Sequence, residues 1–161
     1  HEYLEKGYSK EEILLKINTK GRDNARRPMQ WTAEKNAGFT TGTPWIDVNP
    51  NYQTINVAAA LADKNSLFYT YQEMIRLRKE HPLIVWGDFE LLETVDEVIS
   101  FYRTYGEERW LVVTNFSDKV QPFSADVHVE QVMIENMPTD VTALADYSLA
   151  PWQAFVVKVS Q

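Results

Sequence analysis

"NSLFYTYQEMIRLRKEHP", residues 65–82, decides the fold class, because the character of the chain changes across it. Leu67, Phe68, Tyr71, Met74 and Ile75 follow the i, i+3, i+4, i+7, i+8 pattern that lines one face of an α-helix. Asn65 or Ser66 is placed to cap its start, and Arg76, Arg78 and Lys79 suit its negative end. Pro82 stops it, since the residue before a proline disfavours the helical region. Beyond Pro82 the stretches "LIVWGDFELLE", "EVISFYRTYGEERWLVVTNFS", "KVQPFS", "HVEQVMIEN" and "AFVVKV" are short, β-branched and aromatic, with turn residues between them. "YRTYGEERW" reads as a hairpin with Tyr105-Gly106 at its tip. About five to eight short strands without intervening helices read as an antiparallel sandwich. The fold class is therefore α+β, with a boundary near His81-Pro82 that gives units 1–81 and 82–161.

Upstream of residue 65, "YSKEEILLKIN" reads as a short surface helix. Ser9 and Glu12 have the capping-box spacing, and Ile13, Leu14 and Ile17 share a face. Residues 19–62 then show little periodicity. They are rich in Gly, Thr, Asn and Pro, with Trp31, Phe39, Trp45 and Tyr52 interspersed. A stretch this long without regular structure belongs to an active-site loop or to a subdomain draped on something larger. Its aromatics need a surface on which to be buried.

With 161 residues, 44% of them hydrophobic and five tryptophans, the chain suits one packed domain, or one domain plus an extra segment. A net charge of −7 argues against a nucleic-acid partner, which calls for a basic face. No apolar run approaches the roughly 20 residues of a membrane span. The absence of cysteine excludes disulfides, thiolate metal sites and a cysteine nucleophile, and fits a cytoplasmic location. No signal peptide is visible, and the chain begins "HEYLEKGYSKEE" without an initiator methionine.

The chemical inventory is short. His1, His81 and His128 share no metal-ligand spacing and read as surface or structural residues, so no metal or cofactor is expected. There is no G-x-S-x-G elbow, phosphate loop or G-x-G-x-x-G. Trp86, Trp110 and Trp152 could stack on sugar, but tryptophans of a sandwich are expected in its core. The exception is "GRDNARRPMQW", residues 21–31, with three arginines in eleven residues. Arg22 and Arg26 lie four apart, in a segment stiffened by Pro28 and anchored by Trp31. Arginine serves where a planar, permanently charged fork must hold a carboxylate or sugar hydroxyls. Two readings stay open on these residues alone: a brace to a carboxylate within the loop, or a sugar- or carboxylate-binding pocket.

The run from "GRDNARRPMQW" through "NAGFTTGTPWIDVNPNYQTINVAAALADKNSLFYTYQEMIRLRKEHPLI" resembles the C-terminal third of oligo-1,6-glucosidases, within the α-amylase superfamily of retaining glycoside hydrolases. The resemblance extends to "ERWLVVTNFS" and "LAPWQAFVVKV". It implies a (β/α)8 barrel whose last subdomain and helix occupy residues 1–81, followed by the antiparallel sandwich. It further implies an exo-acting α-1,6-glucosidase, with an α-glucoside oligosaccharide as substrate. Arg26 matches the family arginine that binds the terminal glucose. Arg22 matches the same run with a more structural role, and Asp23 is a natural brace for one of them. Relatives commonly carry threonine where Arg27 stands. The family's catalytic carboxylates lie upstream of the matched region, so no catalytic residue is expected here and the chain reads as an inactive fragment. The apolar surface that would meet the barrel is then expected to drive self-association. The alternatives are a trehalose-6-phosphate hydrolase fragment and a non-catalytic carbohydrate-binding or scaffold module.

Overall fold

The computed structural model describes residues 2–138, 140 and 143–160; His1, one of the three histidines considered above, lies outside the described residues. The chain forms two compact units, one ending at Phe68 and the other starting at Tyr69.

The first unit opens with helices α1 (Glu2–Glu5) and α2 (Lys10–Lys20). The capping box is formed: the Glu12 N–H donates to the Ser9 hydroxyl at 3.2 Å, and the Ser9 N–H donates to the Glu12 carboxylate at 2.8 Å. That backbone donor, then the Ser9 hydroxyl, holds the Glu12 carboxyl below its ordinary range. Leu14, Leu15 and Ile17 of α2 are all exposed. The aperiodic region that follows is built from 3-10 turns at Asp23–Arg26 and Pro50–Gln53, a left-handed turn at Lys35–Gly38, and the short helix α3 (Val57–Ala62). Trp31, Phe39 and Trp45 are exposed, Trp45 at 93%.

In the second unit the long helix α4 (Leu67–Glu80) carries most of its apolar stripe, Tyr71, Met74 and Ile75, on an exposed face; Leu77 is buried. On its polar side Arg76 bridges Glu73 and Glu80. The helix ends before Pro82 as the sequence predicts. "LIVW", expected as strand, instead forms one helical turn, α5 (Leu83–Trp86). Pro82 sits at its N-cap with φ −53°, and its carbonyl accepts from the Val85 and Trp86 amides at 3.0 and 2.8 Å. A four-residue apolar run has no period of its own, so the proline's fixed φ decides it.

Seven strands follow among the described residues: β1 (Asp88–Leu91), β2 (Val98–Tyr105), β3 (Glu108–Asn115), β4 (Gln121–Phe123), β5 (His128–Glu135), β6 (Tyr147–Leu149) and β7 (Ala154–Ser160). They form an antiparallel sheet ordered β1-β2-β3-β7-β5 and a second, two-stranded sheet of β4 and β6. The β2–β3 hairpin pairs Tyr105 with Glu108, so its tip is Gly106-Glu107, with Gly106 at φ 61°. Alternation along the strands sorts the residues. Val98, Tyr102, Leu111, Val113, Phe155 and Val157 face inward onto Phe123, Leu144 and Leu149, making the sandwich core. The opposite face packs Trp110 against Leu77 and Leu83. There Glu108 ties helix to sheet: its carboxylate accepts from the Trp110 indole at 2.9 Å and lies 3.3 Å from His81 Nδ1. His81 thus has a structural place. Trp110 is 2% exposed, as a core tryptophan should be, but Trp86 and Trp152 are 73% and 57% exposed and do not join the core. Trp86 follows the unexpected α5 turn, and Trp152 sits in a tight turn before β7. No helix among the described residues is long and apolar enough to cross a membrane.

The end of the sandwich is closed by Asn115, 1% exposed and fully satisfied. Its amide donates to the Lys119 and Ala150 carbonyls at 2.7 and 2.9 Å, and its oxygen accepts from the Ser117 amide and hydroxyl at 2.9 and 2.8 Å. Removing it leaves part-buried partners at Ser117 and Ala150 unpaired. Asn115→Ala is expected to destabilise the sandwich by about 3 kcal/mol, read as a lowered midpoint in urea unfolding followed by β-sheet circular dichroism.

Candidate functional site

The 21–31 segment is held at both ends without help from its arginine side chains. At its start Gly21 caps α2, donating its N–H to the Ile17 carbonyl at 2.6 Å. A Cβ there would fall 2.5 Å from that same oxygen, so the chain can leave the helix in this direction only with glycine. The 3-10 turn Asp23–Arg26 follows, closed by the Ala25 N–H on the Arg22 carbonyl at 3.0 Å. Arg27 is extended (φ −60°, ψ 150°), as expected of a residue before proline, and Pro28 is buried.

The far end is sewn into the next part of the unit. Gln30 donates to the Asn51 side chain at 3.0 Å and to the Ile55 carbonyl. The Gln30 and Trp31 carbonyls accept from Val57 and Ala58 at 2.9 and 3.0 Å, in the first turn of α3. Buried Asn56 caps that helix. Its oxygen accepts from the Ala59 amide at 2.8 Å while its amide donates to the Tyr52 carbonyl at 2.8 Å. Between Arg27, Gln30, Asn56 and Phe68 lies an open concavity of about 460 Å³.

A second constraint was not legible in the sequence. Asn36, Ala37 and Gly38 lie consecutively in the left-handed region, at φ 56°, 58° and 66°. Ala37 is fully buried, and its carbonyl accepts from both Trp31 and Thr32, at 2.9 and 3.1 Å. The Asn36 amide gathers the Thr40 and Gly42 carbonyls at 3.0 and 2.8 Å. A left-handed alanine costs about 1–3 kcal/mol, and such cost concentrates where a backbone must be held in one place. Here it holds Trp31, the last residue of the arginine-bearing segment.

Arg22 and Arg26 bracket the 3-10 turn, one at its N-cap and one at its last position, and both are exposed. Among the described residues neither forms an ion pair, and Asp23, the expected brace, pairs with neither. Arg27 alone is tied, its Nη1 reaching the Asp47 carbonyl at 3.4 Å. A firmly held turn thus presents two unpaired guanidinium forks. Such forks accommodate a carboxylate or a row of sugar hydroxyls without further ordering of the backbone.

The matches to known proteins bear on the whole length of the chain. The family model for the alpha-amylase catalytic domain matches residues 2–87. The chain is 50% identical over 158 residues to a glucan 1,6-alpha-glucosidase of Streptococcus pneumoniae, covering 98% of this chain and 29% of the relative. It is 47% identical to an oligo-1,6-glucosidase of Parageobacillus thermoglucosidasius, covering 96% and 29%. Among solved structures, trehalose-6-phosphate hydrolase of Bacillus licheniformis superposes with a TM-score of 0.82 at 36% identity, covering 99% of this chain and 30% of that one. The chain therefore spans under a third of the length of the proteins it matches. The arginine turn, α3 and the whole of the long helix fall inside the matched catalytic-domain region, and the chain belongs to the alpha-amylase family.

Proposed function

We propose that the chain is the C-terminal part of a longer, cytoplasmic, exo-acting retaining α-glucosidase that releases glucose from α-1,6-linked isomalto-oligosaccharides. Its likeness, over nearly its whole length, to two enzymes named for 1,6-linked substrates carries this reading. In it, residues 1–81 are the last barrel-associated subdomain and final barrel helix, and 82–161 are the C-terminal sandwich. Arg26 binds the terminal glucose, and Arg22 supports it from the other end of the turn. The unpaired, exposed forks on a rigid turn favour that role. A retaining glycosidase needs two carboxyl groups about 5 Å apart, and in this reading both come from the barrel, so the chain alone is inactive.

A trehalose-6-phosphate hydrolase is the second reading, favoured by the match to the Bacillus licheniformis structure. The deciding assay measures glucose release by the upstream-extended protein from isomaltose and from trehalose 6-phosphate side by side. Preference for isomaltose is expected; preference for the phosphorylated sugar overturns the 1,6-specificity. In the same protein Arg26→Ala should lower kcat/KM about 100-fold, the scale of losing one charge-assisted contact in an active site. Arg26→Lys should do little better, because a point charge does not replace a planar fork. Near-normal kinetics in either variant would remove Arg26 from the pocket.

The exposed stripe of α4 suggests where the chain meets its missing portion. Tyr71, Met74 and Ile75 form a contiguous apolar face of the kind that soluble chains cover. Light scattering should therefore show concentration-dependent association of the 161-residue chain. A clean monomer at high concentration would argue against it.

A further inference from the structure

Trp152 occupies a position that its turn does not favour. The Gln153 N–H donates to the Ala150 carbonyl at 3.1 Å, closing a four-residue turn with Pro151 and Trp152 at its centre. Trp152 has φ 58°. Proline first and a positive φ second is the pattern of a type II turn, whose second central position belongs to glycine or asparagine. A bulky side chain at positive φ is an outlier with a real cost. The surroundings hold it there: the Trp152 N–H donates to the Ser117 carbonyl at 3.0 Å, and the Asn136 amide donates to the Trp152 carbonyl at 2.7 Å. The Asn136 oxygen then accepts from Ala154 at 2.9 Å. Yet the indole contributes little to the core, being 57% exposed. Backbone cost without side-chain burial leaves the exposed ring face as what the position supplies.

The Ser117 contact sets this turn beside residues 116–119. Phe116 there is also largely exposed, and Asp118 and Lys119 follow, both exposed and without an ion pair among the described residues. An exposed aromatic face on a turn beside a segment that carries an exposed carboxylate and an exposed ammonium suits a pyranose. Its axial C–H face packs on the ring, while its equatorial hydroxyls donate to the carboxylate and accept from the ammonium.

We propose that Trp152, in the turn beside residues 116–119, is a carbohydrate-binding platform on the sandwich, taking glucose units of an α-glucan. The family supplies the choice of glucan.

The test titrates the full 161-residue chain with isomaltotriose, followed by saturation-transfer NMR. Trp152→Gly restores the residue type the turn prefers, so it should unfold no earlier than the parent while binding isomaltotriose about ten-fold more weakly or worse. Trp152→Tyr should retain most of the binding. Isomaltotriose binding that survives Trp152→Gly overturns the platform, as does its absence from the unmodified chain. Binding lost in Arg26→Ala but kept in Trp152→Gly would place the sugar at the arginine turn, overturning the platform while leaving the proposed glucosidase reading intact.

Discussion

The five-stranded sheet is apolar on both faces, and the rest of the second unit answers to that constraint. Its inner face is closed by β4, β6 and the loop carrying Leu144. Its outer face has far less to cover it: the α5 turn and the end of α4, meeting at Leu77, Leu83 and Trp110. The Glu108 carboxylate, shared by the Trp110 indole and His81, fixes that meeting point. The apolar stripe of α4 lies N-terminal to that point, on an exposed face. The stripe at Tyr71, Met74 and Ile75 therefore forgoes burial worth about 1.5–3 kcal/mol for each large side chain.

Elements whose causes are local were legible. The α4 helix follows from its own period and from Pro82, and the α2 start from Ser9 and Glu12 alone. The long strands and the hairpin at Gly106 follow from alternation and from one glycine, with the tip displaced by one residue from its expected place. Where the cause is distant or the run too short, the sequence carries no local signal. "LIVW" has β-like composition, but four residues carry no period, and the proline before them prevailed. Strand β6, Tyr147–Leu149, exists because β4 pairs with it, and nothing within three residues announces that. Composition points Trp86 and Trp152 into the core; their exposure follows from the turns that carry them.

The candidate site divides in the same way. The identity and spacing of Arg22 and Arg26 are plain in the sequence, and so is the stiffness that Pro28 imparts. What fixes the turn in space comes from further along the chain: Asn51, Ile55 and Val57 on Gln30, and Ala37 on Trp31. Alanine gives no sign of a positive φ; only its neighbours Asn36 and Gly38 hint at it.

The order of construction explains why the arginines remain unpaired. Residues i and i+3 eclipse one another in a 3-10 turn, so Asp23 and Arg26 have the geometry for a pair and yet do not form one. The turn does not need that pair, because Gly21, Pro28 and Gln30 already set its path through the backbone. Exposure then makes three neighbouring cations tolerable, since water and salt screen them over roughly 8–10 Å. Burial would change the balance: desolvated guanidinium groups require a carboxylate of good geometry, and none inside the segment is committed to them. A turn built first in backbone, with its charges left open, is suited to an acceptor arriving from outside it, whether a carboxylate or the hydroxyls of a sugar.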